Sequence, residues 1–393
     1  MQVLFQNPQL RPGVRAAFCV FSHYDPHGTV EPYVRGYLAE LQRCGFQVVF
    51  VSTSPRLDTE SQEALRELTA AVILRENIGY DFGSYKTGIL FLRHMQAEPS
   101  RLLLTNDSVF GPLQPLAPLL PAHDDFGLFG MTDSFDFSYH LQSFFILYGT
   151  PVLRSPAFAT FWDRVELLSP EVPGFKQKII LDYEVGGSQY FLNHGFPVAA
   201  AFPFRKTLAT AMDHYGTLLA AAEAPGGVAP APLKVRFNAT HSFWEELIEL
   251  GFPFIKRELL LLNPTGADIY RWPDIVAQHS DYDIGQILAA SLSFSGNNDV
   301  FFTTAPAEIA ARMNEAGELV LPVNPTLQPW QARFGVPDER CFVFDESVYM
   351  DAHPDIRVAV QQGKLDSARA HFKKQGHRES RRVPLKAIPP LSS

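Results

Sequence analysis

The chain has 393 residues, 46% of them hydrophobic, enough to bury the core of one large domain with something smaller beside it. A formal net charge of -9, with no dense basic stripe before residue 290, argues against nucleic acid as the main partner, and no apolar run reaches the roughly 18–20 residues that span a bilayer. Cys19, Cys44 and Cys341 are too few and too scattered for a disulfide framework or a zinc site.

Residues 1–14 read as an N-terminal tail. They show neither a basic leader with a long apolar region nor a small-residue cleavage site, which points to a cytoplasmic protein. RAAFCVFS, residues 15–22, is the first strand-like run, with Ser22, His23, Tyr24 and Asp25 at its carboxyl end. Val30, Tyr33, Val34, Tyr37, Leu38 and Leu41 then recur at the spacing of one helix face, which Gly45 stops. FQVVFVS at 46–52 predicts a second strand, a short helix capped by Asp58 runs through Leu68, and Ala71 to Leu74 predicts a third strand. Strand, helix, strand, helix, strand with short connections is the pattern of a parallel sheet in a nucleotide-binding half-fold.

A glycine-rich turn and a helix follow. Gly79 and Gly83 permit close backbone approach, Ser84 is placed to cap the helix, and a base or diphosphate can rest against the turn. Asn77, Gly79, Tyr80, Asp81, Gly83 and Lys86 are its donor-side candidates; a plain loop is the alternative. The apolar run Leu102-Leu103-Leu104 stops at Asn106-Asp107-Ser108, which places that triplet at the carboxyl edge of the sheet, where open α/β sheets bind ligands. Asp107 has the chemistry to hold a divalent cation, Mg or Mn, against a diphosphate, with Asn106 and Ser108 orienting waters or a ribose. Turn chemistry ahead of Gly111-Pro112 is the other reading of the triplet.

Further along, FGLFGMT and LQSFFILY predict two strands, and residues 155–168 predict an amphipathic helix with Phe158, Phe161, Trp162 and Val165 on its core face. Glu184, with Gly186 and Gly187 behind it, precedes another helix. A carboxylate there either stabilises the helix dipole or does chemistry. Residues 216–233 are Ala-, Gly- and Pro-rich and read as a surface excursion. His241 either caps its helix or completes a metal shell with Asp107, and Lys256 or Arg257 is a candidate to reach phosphate oxygens.

The phrases NIGYDFGSYKTGI, LLLTNDSVFGPL, GMTDS with HLQSFFILY, YEVGGSQ and NATHSFWEELIELGFPFIKRELL, in that order from about residue 15 to 290, resemble the rhamnan synthesis protein F family of bacterial polysaccharide glycosyltransferases. The resemblance implies an α/β, GT-A-like, Rossmann-type domain with a mostly parallel sheet. It further implies inverting transfer of a sugar, typically L-rhamnose from dTDP-L-rhamnose, onto a lipid-linked, growing cell-surface glycan such as an O-antigen, capsule or rhamnan. Asn106-Asp107-Ser108 stands where such enzymes carry Asp-x-Asp, and departs from it by having one carboxylate. The segment after it builds the acceptor side, making His140 and Gln142 candidates to contact the sugar, with Glu184 first and Asp133 second as general base. A retaining or differently specific transferase, and a non-catalytic glycan-binding subunit, stay open.

This gives a glycosyltransferase domain over 15–290, a Pro-rich connector over 291–340, and a small helical module with a basic tail over 341–393, its helices at 354–362 and 367–375. Lys373, Lys374, Arg378, Arg381, Arg382 and Lys386 form either a solvated surface or a weak contact with anionic lipid, which would place the chain peripherally on the inner face of the cytoplasmic membrane.

Overall fold

Residues 18–21, 48–51 and 102–104 are apolar on both faces of their strands and almost wholly buried, as suits the middle of a parallel sheet covered by helices on each side. The computed structural model describes residues 1–222, 238–265, 267, 269, 271–294, 299–302, 312–313, 319–320, 341–344, 346–371 and 383–387. The chain divides into two units, Met1–Lys256 and Arg257–Ser393.

The strands of the first unit are β1 (Gln2–Gln6), β2 (Arg15–His23), β3 (Phe46–Ser52), β4 (Ala71–Leu74), β5 (Glu98–Asn106), β6 (Val109–Phe110), β7 (Leu128–Ser134), β8 (His140–Leu141), β9 (Phe145–Tyr148), β10 (Val198–Phe202) and β11 (Ile255–Lys256). Nine of them form one sheet in the order β1-β4-β3-β2-β5-β9-β7-β10, with β8 paired to β7. β2, β3, β4, β5, β7 and β10 run in one direction; β1, β8 and β9 oppose them. This is the α/β, mostly parallel arrangement that the GT-A-like expectation requires. The strand order reverses between β2 and β5, so the crevice at their carboxyl ends is the topological switch point where such sheets take ligands.

The crossovers are α1 (Pro32–Arg43), α2 (Thr59–Leu68) and α3 (Tyr80–His94). All six apolar residues of the expected α1 face are buried, and Gly45, at φ +84°, takes the left-handed step that ends the helix. Asp58 caps α2 by accepting the Ser61 N–H at 2.7 Å. Between β9 and β10 lie α4 (Thr150–Leu153), α5 (Pro156–Arg164), α6 (Phe175–Ile179), a π-helical turn over Ile180–Val185, and α7 (Gly186–Asn193). α8 (Phe204–Ala222), α9 (Ala239–Ser242) and α10 (Trp244–Glu249) precede β11. The surface excursion expected over 216–233 therefore begins as the last turns of α8, and its remainder lies outside the described residues.

Several elements were not foreseen, among them β10 at the far edge of the sheet and α8. The N-terminal tail supplies β1, an antiparallel edge strand on β4 whose apolar run, Val3 to Phe5, is only three residues long between two glutamines. β6 and β11 form a separate antiparallel ribbon that pairs Lys256 with Val109.

The second unit contains α11 (Arg257–Leu261), α12 (Trp272–His279), α13 (Ile284–Phe294), α14 (Glu346–Ala352), α15 (Pro354–Gln361) and α16 (Ala368–His371). α15 and α16 fall where two helices were expected. A five-stranded antiparallel sheet from 299–302, 312–313, 319–320, 341–344 and 383–387 accompanies them, so strands stand both in the expected connector and in the expected helical module. Of the basic tail only Lys386 is among the described residues. No helix among the described residues is long and apolar enough to cross a membrane.

Candidate active site

β5 ends at Asn106, opposite Ser22 of β2 in the parallel ladder. Both residues turn toward α3, whose first turn carries Asp81: the Ser22 hydroxyl donates to one carboxylate oxygen and the Asn106 amide to the other, each at 2.8 Å. Burial, then the nearby charge of Asp107, push the Asp81 carboxyl up to about 6, against the pull of its two donors and of Lys256. Asp107 accepts the Tyr24 N–H at 3.3 Å on its carboxylate and the Tyr33 hydroxyl at 3.2 Å on its carbonyl. Ser108 donates both its N–H and its hydroxyl to Asn106 Oδ1. The turn chemistry of the triplet and its place at the sheet edge thus coexist.

Lys256 reaches the same place from far along the chain. The β6–β11 ribbon fixes it beside the triplet, its ammonium donating to Ser108 Oγ at 3.3 Å and lying 4.1 Å from the Phe144 ring centroid.

The glycine-rich turn is packed by the protein itself. Gly79, at φ +75°, is the N-cap of α3, and a Cβ there would meet Leu167 at 3.2 Å. A Cβ on Gly83 would meet the Ile78 carbonyl at 2.5 Å and the Arg75 guanidinium at 2.8 Å. Ser84 does not cap the helix: it is buried within it and accepts from Arg75 at 3.1 Å, because the helix starts a turn earlier than its hydroxyl suggests. Lys86 donates to the carbonyls of Asp163 and Val165 at the end of α5, away from the Asp81 group. Asn77 and Tyr80 are exposed at the mouth of the turn, with Tyr80 stacked on Phe175 at 5.1 Å.

A second acidic centre surrounds Glu184. It sits in the π-helical turn, a feature frequent at functional sites. Its carboxylate accepts the Ser143 hydroxyl and the Ser143 N–H, and lies 3.4 Å from His140 Nε2. Burial raises the Glu184 pKa, but hydrogen bonding and charge from His140, the Ser143 hydroxyl and the Lys256 charge together draw it below the usual glutamate value. His140 is pushed down by burial yet ends above its ordinary value because Glu184 faces it, with Nδ1–H donating to the Ser138 carbonyl at 2.8 Å. Asp182 instead points outward to Lys178.

Tyr85 joins the two centres. One turn beyond Asp81 on α3, it donates to the Ser143 carbonyl at 3.0 Å, and burial, with the charges of Asp81 and Glu184 added, raises its pKa.

Asp133 and Gln142 form the flank. Asp133 accepts the Phe204 N–H; burial raises its pKa against the pull of that bond, His140 and Arg205. Gln142 accepts from Thr132 at 2.6 Å and donates to Asn238 at 3.2 Å. His241 is buried on α9.

A hard divalent cation needs several oxygens free to turn toward it. Here both Asp81 oxygens, Asn106 Oδ1 and one Asp107 oxygen already accept protein hydrogen bonds, and an ammonium lies on Ser108. Among the described residues no three His, Cys, Asp or Glu side chains are grouped to hold a metal, so Asp107 and His241 do not form a ready shell. The donor set does not fit the expected cation.

Ser22, Ser143 and Tyr85 escape sequence reasoning. Ser143 lies beside the candidates His140 and Gln142, and Ser22 in the polar group that ends the first strand, while Tyr85 sits in an apolar pattern that reads as core.

Residues 48–224 match the family model described as rhamnan synthesis protein F. The uncharacterised protein y4gN of Sinorhizobium fredii is 30% identical over 198 residues, covering 49% of this chain and 50% of that protein. Virulence protein VirA of Vibrio anguillarum is 28% identical over 217 residues, covering 54% and 69%. The chain thus spans half the length of the first relative. Among solved structures, the mannosyltransferase PcManGT of Pyrobaculum calidifontis, in complex with GDP-Man and Mn2+, is 13% identical with a TM-score of 0.28 over 72% of this chain and 82% of that one. The galactosyltransferase LgtC, in complex with donor and acceptor sugar analogues, is 15% identical with a TM-score of 0.27 over 47% and 72%. At such scores no residue is carried across. The sequence match over residues 48–224 is to the rhamnan synthesis protein F family, the family that the motifs resemble.

Proposed function

We propose that the protein is an inverting glycosyltransferase that moves L-rhamnose from dTDP-L-rhamnose to a lipid-linked, growing bacterial cell-surface polysaccharide, on the cytoplasmic side of the membrane. The observation that carries this reading is the pairing of two acidic centres of opposite character, Asp81–Asn106–Asp107 and Glu184–His140–Ser143, joined by Tyr85 and Lys256 at the switch point of the sheet. A GT-A-like reading of the sheet and the family match support the substrate class.

In this reading the diphosphate lies at Ser108 and Lys256, and Asp107 accepts hydrogen bonds from hydroxyls of the donor. An acceptor hydroxyl attacks the anomeric carbon from the face opposite the diphosphate. The new C–O bond forms as the bond to the diphosphate oxygen breaks, the electron pair leaves with the diphosphate, and the proton passes to Glu184. His140 and Ser143 hold that carboxylate ionised and oriented, while His140 and Gln142 border the acceptor. Asp133, with its raised pKa, is the second candidate base.

The test is a panel of nucleotide sugars read by thermal shift and by release of nucleoside diphosphate. A ligand at 100 times its dissociation constant stabilises the folded state by about 2.7 kcal/mol. Stabilisation and turnover by dTDP-L-rhamnose are expected. Turnover of another donor only would move the sugar assignment, and glycan binding with no turnover of any donor would make the chain a binding subunit.

A further inference from the structure

We infer that Lys256 supplies the positive charge facing the leaving diphosphate, in place of a divalent cation. The inference rests on the glycosyltransferase reading and deepens it by naming how the site meets an anion.

The sheet edge here has no arrangement suited to a hard cation, because its oxygens already accept from Ser22, Tyr24, Asn106 and Ser108. A positive charge is nonetheless built in. β11 pairs with β6 so that Lys256 lies across from Val109, one residue beyond the triplet, and the register holds the ammonium at Ser108. The Phe144 ring lies beneath it at 4.1 Å, favouring the charged form and fixing the side chain's direction. Its field reaches both acidic centres, lowering the proton affinity of Asp81 on one side and Glu184 on the other. An ammonium held between two acidic centres lets the crevice admit a dianionic group that two carboxylates alone would repel. Lysine is a compact point charge that contacts phosphate through three rotatable donors, so it adapts as the bridging oxygen becomes a leaving group.

The experiment is calorimetric titration of dTDP into the full chain, in EDTA and in MnCl2, for wild type, Lys256→Met and Lys256→Arg, with donor turnover measured alongside. The expected result is wild-type affinity within about threefold in the two buffers, a loss of about tenfold or more in Lys256→Met in both, and partial recovery in Lys256→Arg. Wild-type affinity or turnover that rises tenfold or more with manganese overturns the inference while leaving the glycosyltransferase reading intact. That comparison needs no variant, so it stands even if Lys256→Met fails to fold. Unchanged dTDP affinity in a folded Lys256→Met also overturns it. Failure of wild type to bind dTDP, UDP or GDP in either buffer removes both the inference and the reading beneath it.

Discussion

Asp81 and Glu184 are two sheltered carboxyls a few side chains apart, and the protein drives them in opposite directions. Asp81 has two neutral donors, but Asp107 shares its neighbourhood and burial dominates, so it holds its proton up to about 6. Glu184 suffers the same burial, yet His140 and Ser143 stabilise its anion, and its pKa falls below the ordinary value. Burial alone therefore does not set the role of an acid. The charge and the donors facing it do, and they divide the crevice into a half that holds a carboxyl toward its neutral form and a half that keeps a carboxylate ionised.

The largest effect expected breaks the second half. Glu184→Gln keeps the shape and one acceptor but removes the proton acceptor, and should lower turnover by about a hundredfold to ten-thousandfold with dTDP affinity nearly unchanged. Should Glu184→Gln keep most of its rate while Asp133→Asn loses it, the base is Asp133. Next in size is Asp107→Asn. A hydrogen bond to a charged group is worth about 1.5–3 kcal/mol, so loss of a carboxylate that accepts donor hydroxyls should weaken intact nucleotide sugar by about tenfold to a hundredfold. Pyrophosphate, which has no sugar or ribose hydroxyls, should bind Asp107→Asn at least as well as wild type. Equal losses for both ligands would mean that Asp107 acts on the phosphates.

The two acids should also leave opposite marks on stability. Because the folded-state pKa of Asp81 is raised, its contribution is full below the unfolded value near 3.8 and is lost as pH rises through about 6. Asp81→Asn removes that titration, so its stability relative to wild type should improve between pH 4 and 7 by at most roughly 3 kcal/mol. Glu184 has a lowered pKa, so its contribution is present above the ordinary glutamate value and lost as pH falls through the lowered one. The advantage of wild type over Glu184→Gln should therefore shrink on acidification. Urea titrations across this pH range read both, and parallel pH curves for the two variants would end the contrast.

What the sequence disclosed of this arrangement follows from the range of the interactions. The buried runs of β2, β3 and β4, the α1 face and the Asp58 cap are written in neighbouring residues, and the expected bounds of β3 and β4 coincide with those observed. The stop at Asn106 was legible for the same reason. By contrast, Glu184 meets Ser143 across 41 positions and Lys256 meets Ser108 across 148, distances over which no periodicity carries information. The candidates for each half could be named from residue type, but not their partners, and partners decide the direction of each pKa. Lys86 shows the converse: a cation on a glycine-rich turn looks like a phosphate ligand, whereas the helix turns it onto the end of α5.

The smallest effect concerns Ser143, and it tests the cause rather than the existence of the contrast. Ser143 gives Glu184 two donors, its hydroxyl and its N–H, and only the hydroxyl is removed in Ser143→Ala. His140 and the backbone donor remain, so Glu184 should stay oriented while its anion loses one of the groups that favour it. Its pKa should then move upward, toward the ordinary value. The acid limb of kcat/KM against pH should shift to higher pH, since one of the groups that favour the anion is gone. On the plateau above that limb the carboxylate is a slightly stronger base, so the rate should change by no more than a few-fold. A limb that stays in place while the plateau falls a hundredfold would mean that Ser143 contacts the reacting groups directly. An unaltered profile would mean that His140 alone keeps Glu184 ionised, and His140→Gln should then move the limb that Ser143→Ala does not.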